Sequence, residues 1–239
     1  MNAFSRYNDI LLEAYRDSDK AQELANKKIE LLKEVIDSVN SPVDNILFVG
    51  FSPWCLGFAD KKIYVAAVTD DVIAWLKNHD IDFELVEITA DTGKIADVTV
   101  AADEFFTFAR DDQEQKDLVN LLGSVTKKLL ITTLRDYKNQ DYKDREFSQP
   151  LMLRGQQNRI YLEHYDYDLK DKNSFSSTTF VIGSDSCDTY GPMARRNMYF
   201  KQLAKFSLDA GASDFFVHKN LMYKSIIKRN YEHIITIRF

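Results

Sequence analysis

From Asn45 onward, short apolar runs alternate with segments of helical spacing. This rhythm confines the chain to an α/β architecture with a mainly parallel sheet. The first run, Asn45-Ile46-Leu47-Phe48-Val49-Gly50, is apolar throughout and closed by glycine. It reads as a strand covered on both faces, hence a central parallel one. Strands follow at Lys62 to Val68, Phe83 to Ile88, Asp97 to Ala102 and Lys128 to Thr133. Helical patterns lie between them at Asp71 to His79 and Gln113 to Leu122. Right-handed crossovers then put helices on both faces of the sheet.

Two helical segments precede this core. The first carries Phe4, Tyr7, Leu11, Ala14 and Tyr15. The second carries Leu24, Leu31, Leu32, Val35, Ile36 and Val39, and Asn40-Ser41-Pro42 stops it. After Leu134 the texture changes. Arg135 to Gln157 reads as a long polar loop, and Asn158 to Asp166 and Ser177 to Ile182 as strands. Arg195 to Asp209 reads as a helix ended by Gly211. Strand-like stretches follow at Asp214 to Val217, Lys224 to Ile227 and Glu232 to Phe239. No repeat and no Pro/Gly/Ser-rich linker divides the chain, so residues 1–239 are expected to form one domain.

Composition narrows the function classes. No stretch approaches the ~20 apolar residues of a membrane span. The opening residues lack the basic and apolar regions of a secretory signal. Cys55 and Cys187 stand far apart, outside any CxxC pattern, and the four histidines are scattered. A metal site is therefore not expected, and reduced thiols in a cytoplasmic protein are. The net charge of −6 argues against general nucleic-acid binding. Beyond Gly191, however, Arg195, Arg196, Lys201, Lys205, Lys219, Lys224, Lys228, Arg229 and Arg238 outnumber Asp209, Asp214 and Glu232. Such a basic face could meet an anionic partner or simply be solvated.

The order of five parallel-type strands, a polar insertion, a helix ending in Asp209-Ala210-Gly211-Ala212 and two closing strands resembles the class I S-adenosylmethionine-dependent methyltransferases. The resemblance spans Val43 to Phe239. It implies a Rossmann-like, mainly parallel seven-stranded sheet with an antiparallel C-terminal pair, helices on both faces, and residues 1–42 as a helical cap. It also implies S-adenosylmethionine as cofactor and an unidentified methyl acceptor. The family's glycine-rich loop would correspond to Val49-Gly50-Phe51-Ser52-Pro53-Trp54-Cys55-Leu56-Gly57. That segment lacks the crowded GxGxG pattern and the acidic residue before it. By resemblance Gly50, Ser52 and Gly57 cradle the methionine part, or else form a loop that now only packs.

The same resemblance makes Asp70, after the second strand, the holder of the ribose hydroxyls, though Thr69 also fits that slot. Asp70 could instead cap the next helix. Asp91 would meet the adenine amino group, or serve a turn before Gly93. The fourth strand runs into Asp103 and Glu104, at the edge where the methyl is transferred, so these two are the candidate catalytic carboxylates. Tyr137, Lys138 and Arg145, beyond the fifth strand, are candidate substrate contacts. His164, in an aromatic-rich stretch with Tyr161, Tyr165 and Tyr167, is either a base or a member of a cross-strand stack. Neither an Asn/Asp-Pro-Pro-Tyr run nor a Pro-Cys pair is present, which removes support for amino- and carbon-directed DNA base methylation. The alternative is a methyltransferase-like scaffold that has lost its cofactor.

Overall fold

The computed structural model describes residues 3–135, 145–155, 158–171, 173–224 and 231–239, with backbone alone for 219–224 and 231. Two helices, α1 (Ala3–Asp17) and α2 (Asp19–Asp37), lead into strand β1 (Asn45–Val49). Then come β2 (Lys62–Ala66), α3 (Asp70–Asn78), β3 (Phe83–Leu85), β4 (Ala96–Ala101), α4 (Asp112–Val125) and β5 (Thr126–Leu134). Helix α5 (Phe200–Asp209) and strands β11 (Asp214–Lys224) and β12 (Tyr231–Arg238) finish the chain. The seven strands form one sheet in the order β3-β2-β1-β4-β5, β12, β11. The first five pair in parallel, while β12 runs antiparallel to both β5 and β11.

Pleating divides the apolar residues between two layers, as alternate side chains of a strand must point to opposite faces. Ile46 and Phe48 of β1, with Val65, Val100 and Ile131, pack under Leu11, Leu32 and Trp75 of α1, α2 and α3. Leu47 and Val49, with Leu130 and Ile235, pack under Val119, Leu122 and Leu203 of α4 and α5. The continuous apolar run of β1 therefore has a partner on each side. Caps fix the helix starts: Ser18 accepts from Ala21 N at 3.4 Å, Thr69 from Val72 N at 3.4 Å and Asp111 from Glu114 N at 2.8 Å. Gly211, at φ +89°, ends α5 as expected from its position.

Two readings of the sequence need correction. The segment 135–157 is not one loop: it holds β6 (Arg145–Phe147) and β7 (Leu151–Leu153). Arg195 and Arg196 do not begin a helix. They end β10 (Cys187–Arg196), and α5 starts only at Phe200. With β8 (Arg159–Tyr167) and β9 (Ser174–Ile182) these strands form a second, antiparallel sheet in the order β10-β9-β8-β6, with β7 also paired to β8. Sequence reasoning found β8 and β9 but not their partners, because β6 and β7 have three residues each and β10 carries no regular alternation; ladder pairing to β8 and β9 makes them strands. The sheet docks on α1, where Arg159 pairs with Glu13 and reaches Asp17 at 3.3 Å, and Tyr190 Oη donates to Glu13 at 3.3 Å. His164 lies opposite Phe147 across the β6–β8 ladder, ring centroids 4.6 Å apart. No helix among the described residues is long and apolar enough to cross a membrane.

Candidate active site

The parallel strands end together at one edge, where an open α/β sheet leaves a crevice. A cavity of about 450 Å³ lies there, within the size range of small-molecule sites. Val49 at the end of β1, Ala66 and Ala67 at the end of β2, and Val86, Glu87 and Ile88 after β3 form one side. Phe105 and Phe108 after β4 and Leu118, Leu121, Leu122 and Glu114 of α4 form the other, and Phe4 of α1 completes the wall. The Glu114 carboxylate accepts from Arg110 N at 2.5 Å and Arg110 Nε at 3.1 Å.

Gly50 leaves β1 at φ +92° and donates its N–H to Ala66 O at 3.0 Å, tying the ends of β1 and β2. A β-carbon there would stand 2.4 Å from Phe4 Cζ and 3.1 Å from Asn8 Oδ1. The following residues turn into a 3-10 helix, Ser52–Phe58, in which Trp54, Cys55 and Phe58 are buried. Burial pushes the Cys55 thiol up to about 12.

In the turn after β4, just before the cavity-lining Phe105, two consecutive residues lie in the left-handed region, Asp103 at φ +58° and Glu104 at φ +57°. Non-glycine residues adopt this conformation rarely, and such strain gathers at functional sites. Lys28 Nζ of α2 meets Asp103 Oδ1 at 2.8 Å, with side-chain exposures of 1% and 4%. The same ammonium sits 3.9 Å from the Trp54 ring centroid. Arg195 of β10 donates to Glu104 Oε2 at 3.1 Å and to Thr107 Oγ1, and lies 4.1 Å from the Phe108 ring. Thr133 of β5 joins this group to β12: its hydroxyl accepts from Asp103 N at 2.9 Å and donates to Glu232 Oε2 at 2.7 Å. Burial, and then the neighbouring Glu104 and Asp103 carboxylates, push Glu232 up to about 7. The Tyr7 phenol is held well above its usual range, by burial first and then by Glu163 and Asp103.

Solved structures share this arrangement of strands. The CcbJ methyltransferase from Streptomyces caelestis superimposes with a TM-score of 0.67, covering 90% of this chain and 94% of its own at 12% identity. DesVI of Streptomyces venezuelae gives 0.66, over 95% and 94% of the two chains at 10% identity. CalS10, an amino pentose methyltransferase from Micromonospora echinaspora, gives 0.62, over 92% of each chain at 10% identity. The chain has the class I methyltransferase fold. No family model matches it, and neither does any curated protein.

Within that fold the residues singled out from sequence do not all come together. Gly50, Asp103 and Glu104 follow the ends of β1 and β4, next in sequence to or near the cavity-lining Val49 and Phe105 without lining the cavity themselves, and Trp54 and Asp103 meet through Lys28. Ser52 and Gly57 serve the loop itself. Ser52 Oγ donates to Gly50 O at 2.8 Å, and a β-carbon on Gly57 would stand 2.2 Å from Ile29 Cγ2 of α2. Asp70 and Asp91 are exposed and do not line the cavity. Thr69, not Asp70, caps α3, and its hydroxyl donates to Asp9 Oδ1 at 2.5 Å. Arg145 lies on the second sheet, its Nε 2.9 Å from Asp166 Oδ1; Tyr137 and Lys138 lie outside the described residues.

Lys28, Arg195, Glu163 and Glu232 were not found from sequence. Lys28 sits on a helix of ordinary amphipathic spacing, and the others come from strands far along the chain, so only the fold assembles them. The basic C-terminal run also changes character. Arg195 is turned inward, and Arg196 bonds Asp112 and Asp171, each at 2.5 Å. Fewer cations are left on that face for a partner.

Proposed function

We propose that the chain is an S-adenosylmethionine-dependent methyltransferase acting on a small polar acceptor, with residues 1–239 working as one domain. The cavity at the joined ends of β1 to β4, beside the carboxylates of Asp103 and Glu104, carries this reading. Its residues suit the adenosyl half of the cofactor. The apolar walls of Val49, Val86, Ile88 and Leu118 match a flat base, and Glu87 or Glu114 can accept from ribose hydroxyls, since a carboxylate takes two hydrogen bonds at once. Gly50 offers bare backbone to the amino-acid half once the Phe4 ring moves aside.

When bound, the cofactor supplies an electrophilic methyl group on a sulfonium. The chain's task is then alignment and proton removal. Lys28 and Arg195 hold Asp103 and Glu104 in place at the end of β4, where the acceptor would be oriented. Glu232 backs this group from β12, accepting from Thr133, whose hydroxyl also holds the Asp103 N–H. The amino pentose methyltransferase among the neighbours, and the sugar N-methyltransferase KedS8 from Streptoalloteichus (TM-score 0.62, 8% identity, 88% of this chain and 85% of that one), make amino sugars the first acceptors to try. DNA bases have no motif in their favour.

Calorimetric titration with S-adenosylmethionine and with S-adenosylhomocysteine tests the proposal. Saturable heat with both supports it. No heat at millimolar ligand from a folded sample overturns it and leaves the scaffolding alternative.

A further inference from the structure

Asn8 lies on the buried side of α1, 1% exposed, and neither its Oδ1 nor its Nδ2 has a hydrogen-bond partner. An amide buried in this way forfeits about 1–3 kcal/mol for each group left unmade, so its presence asks for a reason. A packing role does not supply one, since leucine has nearly the same shape and no polar atoms to satisfy. The position of the amide does. Its Oδ1 stands 3.1 Å from where a β-carbon of Gly50 would be, in the space that only glycine leaves open. That space is filled by the ring of Phe4, one helical turn before Asn8 on the same face of α1. Phe4 also walls the cavity, so the amide lies just beyond the cavity's end.

We propose that Asn8 reads the α-amino acid end of a bound S-adenosyl ligand, in the space beside Gly50 that the Phe4 ring occupies. A side-chain amide holds one acceptor and one two-proton donor a short distance apart. Oδ1 can accept from an α-ammonium while Nδ2 donates to the α-carboxylate, so a zwitterion satisfies both atoms at once. A plain carboxylate satisfies only Nδ2; the adenine edge, with N6–H beside N7, is the other group that pairs with both atoms, and 5′-methylthioadenosine tests it. The assignment rests on the methyltransferase reading above and specifies which half of the ligand this residue recognises.

Two ligands separate the assignment from the reading beneath it. S-Adenosylhomocysteine carries the amino acid end; 5′-methylthioadenosine keeps the nucleoside and the thioether without it. Calorimetry on the wild-type chain and on Asn8→Leu, with a thermal melt of each unliganded protein, gives the outcome. The leucine variant should melt at the same temperature or higher. It should bind S-adenosylhomocysteine at least about tenfold more weakly, as expected for lost hydrogen bonds to charged groups, and bind 5′-methylthioadenosine within about twofold of wild type. Asn8→Asp, which keeps an acceptor for the ammonium, should retain more affinity for S-adenosylhomocysteine than Asn8→Leu. Equal binding of S-adenosylhomocysteine by wild type and Asn8→Leu overturns the role of Asn8 and leaves the cofactor reading standing. So does an equal loss of both ligands. A wild-type chain that binds neither overturns the cofactor reading, and this assignment with it.

Discussion

Phe4 and Gly50, forty-six positions apart, share one space: the Phe4 ring lies where a side chain on Gly50 would have to go, 2.4 Å from its β-carbon position. Gly50 also sits at φ +92°, which branched residues tolerate poorly. Gly50 is buried, so a side chain there cannot turn out into solvent. Gly50→Val should therefore cost roughly 2–5 kcal/mol through overpacking and strain, measured by urea unfolding. Near-native stability would show that Phe4 moves away at little cost.

Asp70 begins α3 on the surface, outside the cavity lining. Asp70→Ala should change S-adenosylhomocysteine binding by less than about twofold and stability by under about 1 kcal/mol, the size of a helix-dipole contribution. Glu87→Gln, within the lining, should weaken binding more. Calorimetry on both variants checks this, and a larger loss at Asp70 would restore it as the ribose residue.

The Lys28–Asp103 pair is closed off from water. Lys28→Met strands the Asp103 charge and should cost about 3–5 kcal/mol. Adding Asp103→Asn should return part of that stability, because the stranded charge is then gone. A double variant as unstable as the sum of the two singles would mean the pair does not interact in solution.

Glu232 gives a pH signature. Its carboxyl ionises at about 7 in the fold against 4.5 ordinarily. Between those values the folded chain holds a proton that the unfolded chain has released. The resulting stability is full below about pH 4.5, is lost as the pH rises toward about 7, and stays lost above it; the loss is on the order of 3 kcal/mol. Glu232→Gln cannot ionise and keeps an oxygen for Thr133 to donate to. It should lose this slope and be more stable than wild type at pH 8. Parallel stability curves for the two proteins from pH 5 to 8 would refute the shift.

The main sheet was legible in the sequence because its information is local. An apolar run such as Ile46 to Val49 must be covered on both faces wherever it lies, and a terminal Gly211 acts on its own neighbours. Gly50, Asp103 and Glu104 share one edge because they follow strands whose ends must meet there. Other features depended on side chains that meet only after the chain has folded. Lys28 reaches Asp103 across seventy-five positions and Arg195 reaches Glu104 across ninety-one. Neither cation differs in sequence from a solvated one, and Arg195 was read as part of a surface helix. The pairing that made a strand of Cys187–Arg196 turned it inward. Sequence determined the strands and helices around the main sheet, where local burial and capping suffice, whereas β6, β7 and β10 became strands only through pairing with β8 and β9. Tertiary structure decided which charges lose their water and find each other, because desolvation and pairing depend on three-dimensional neighbours that no local pattern encodes.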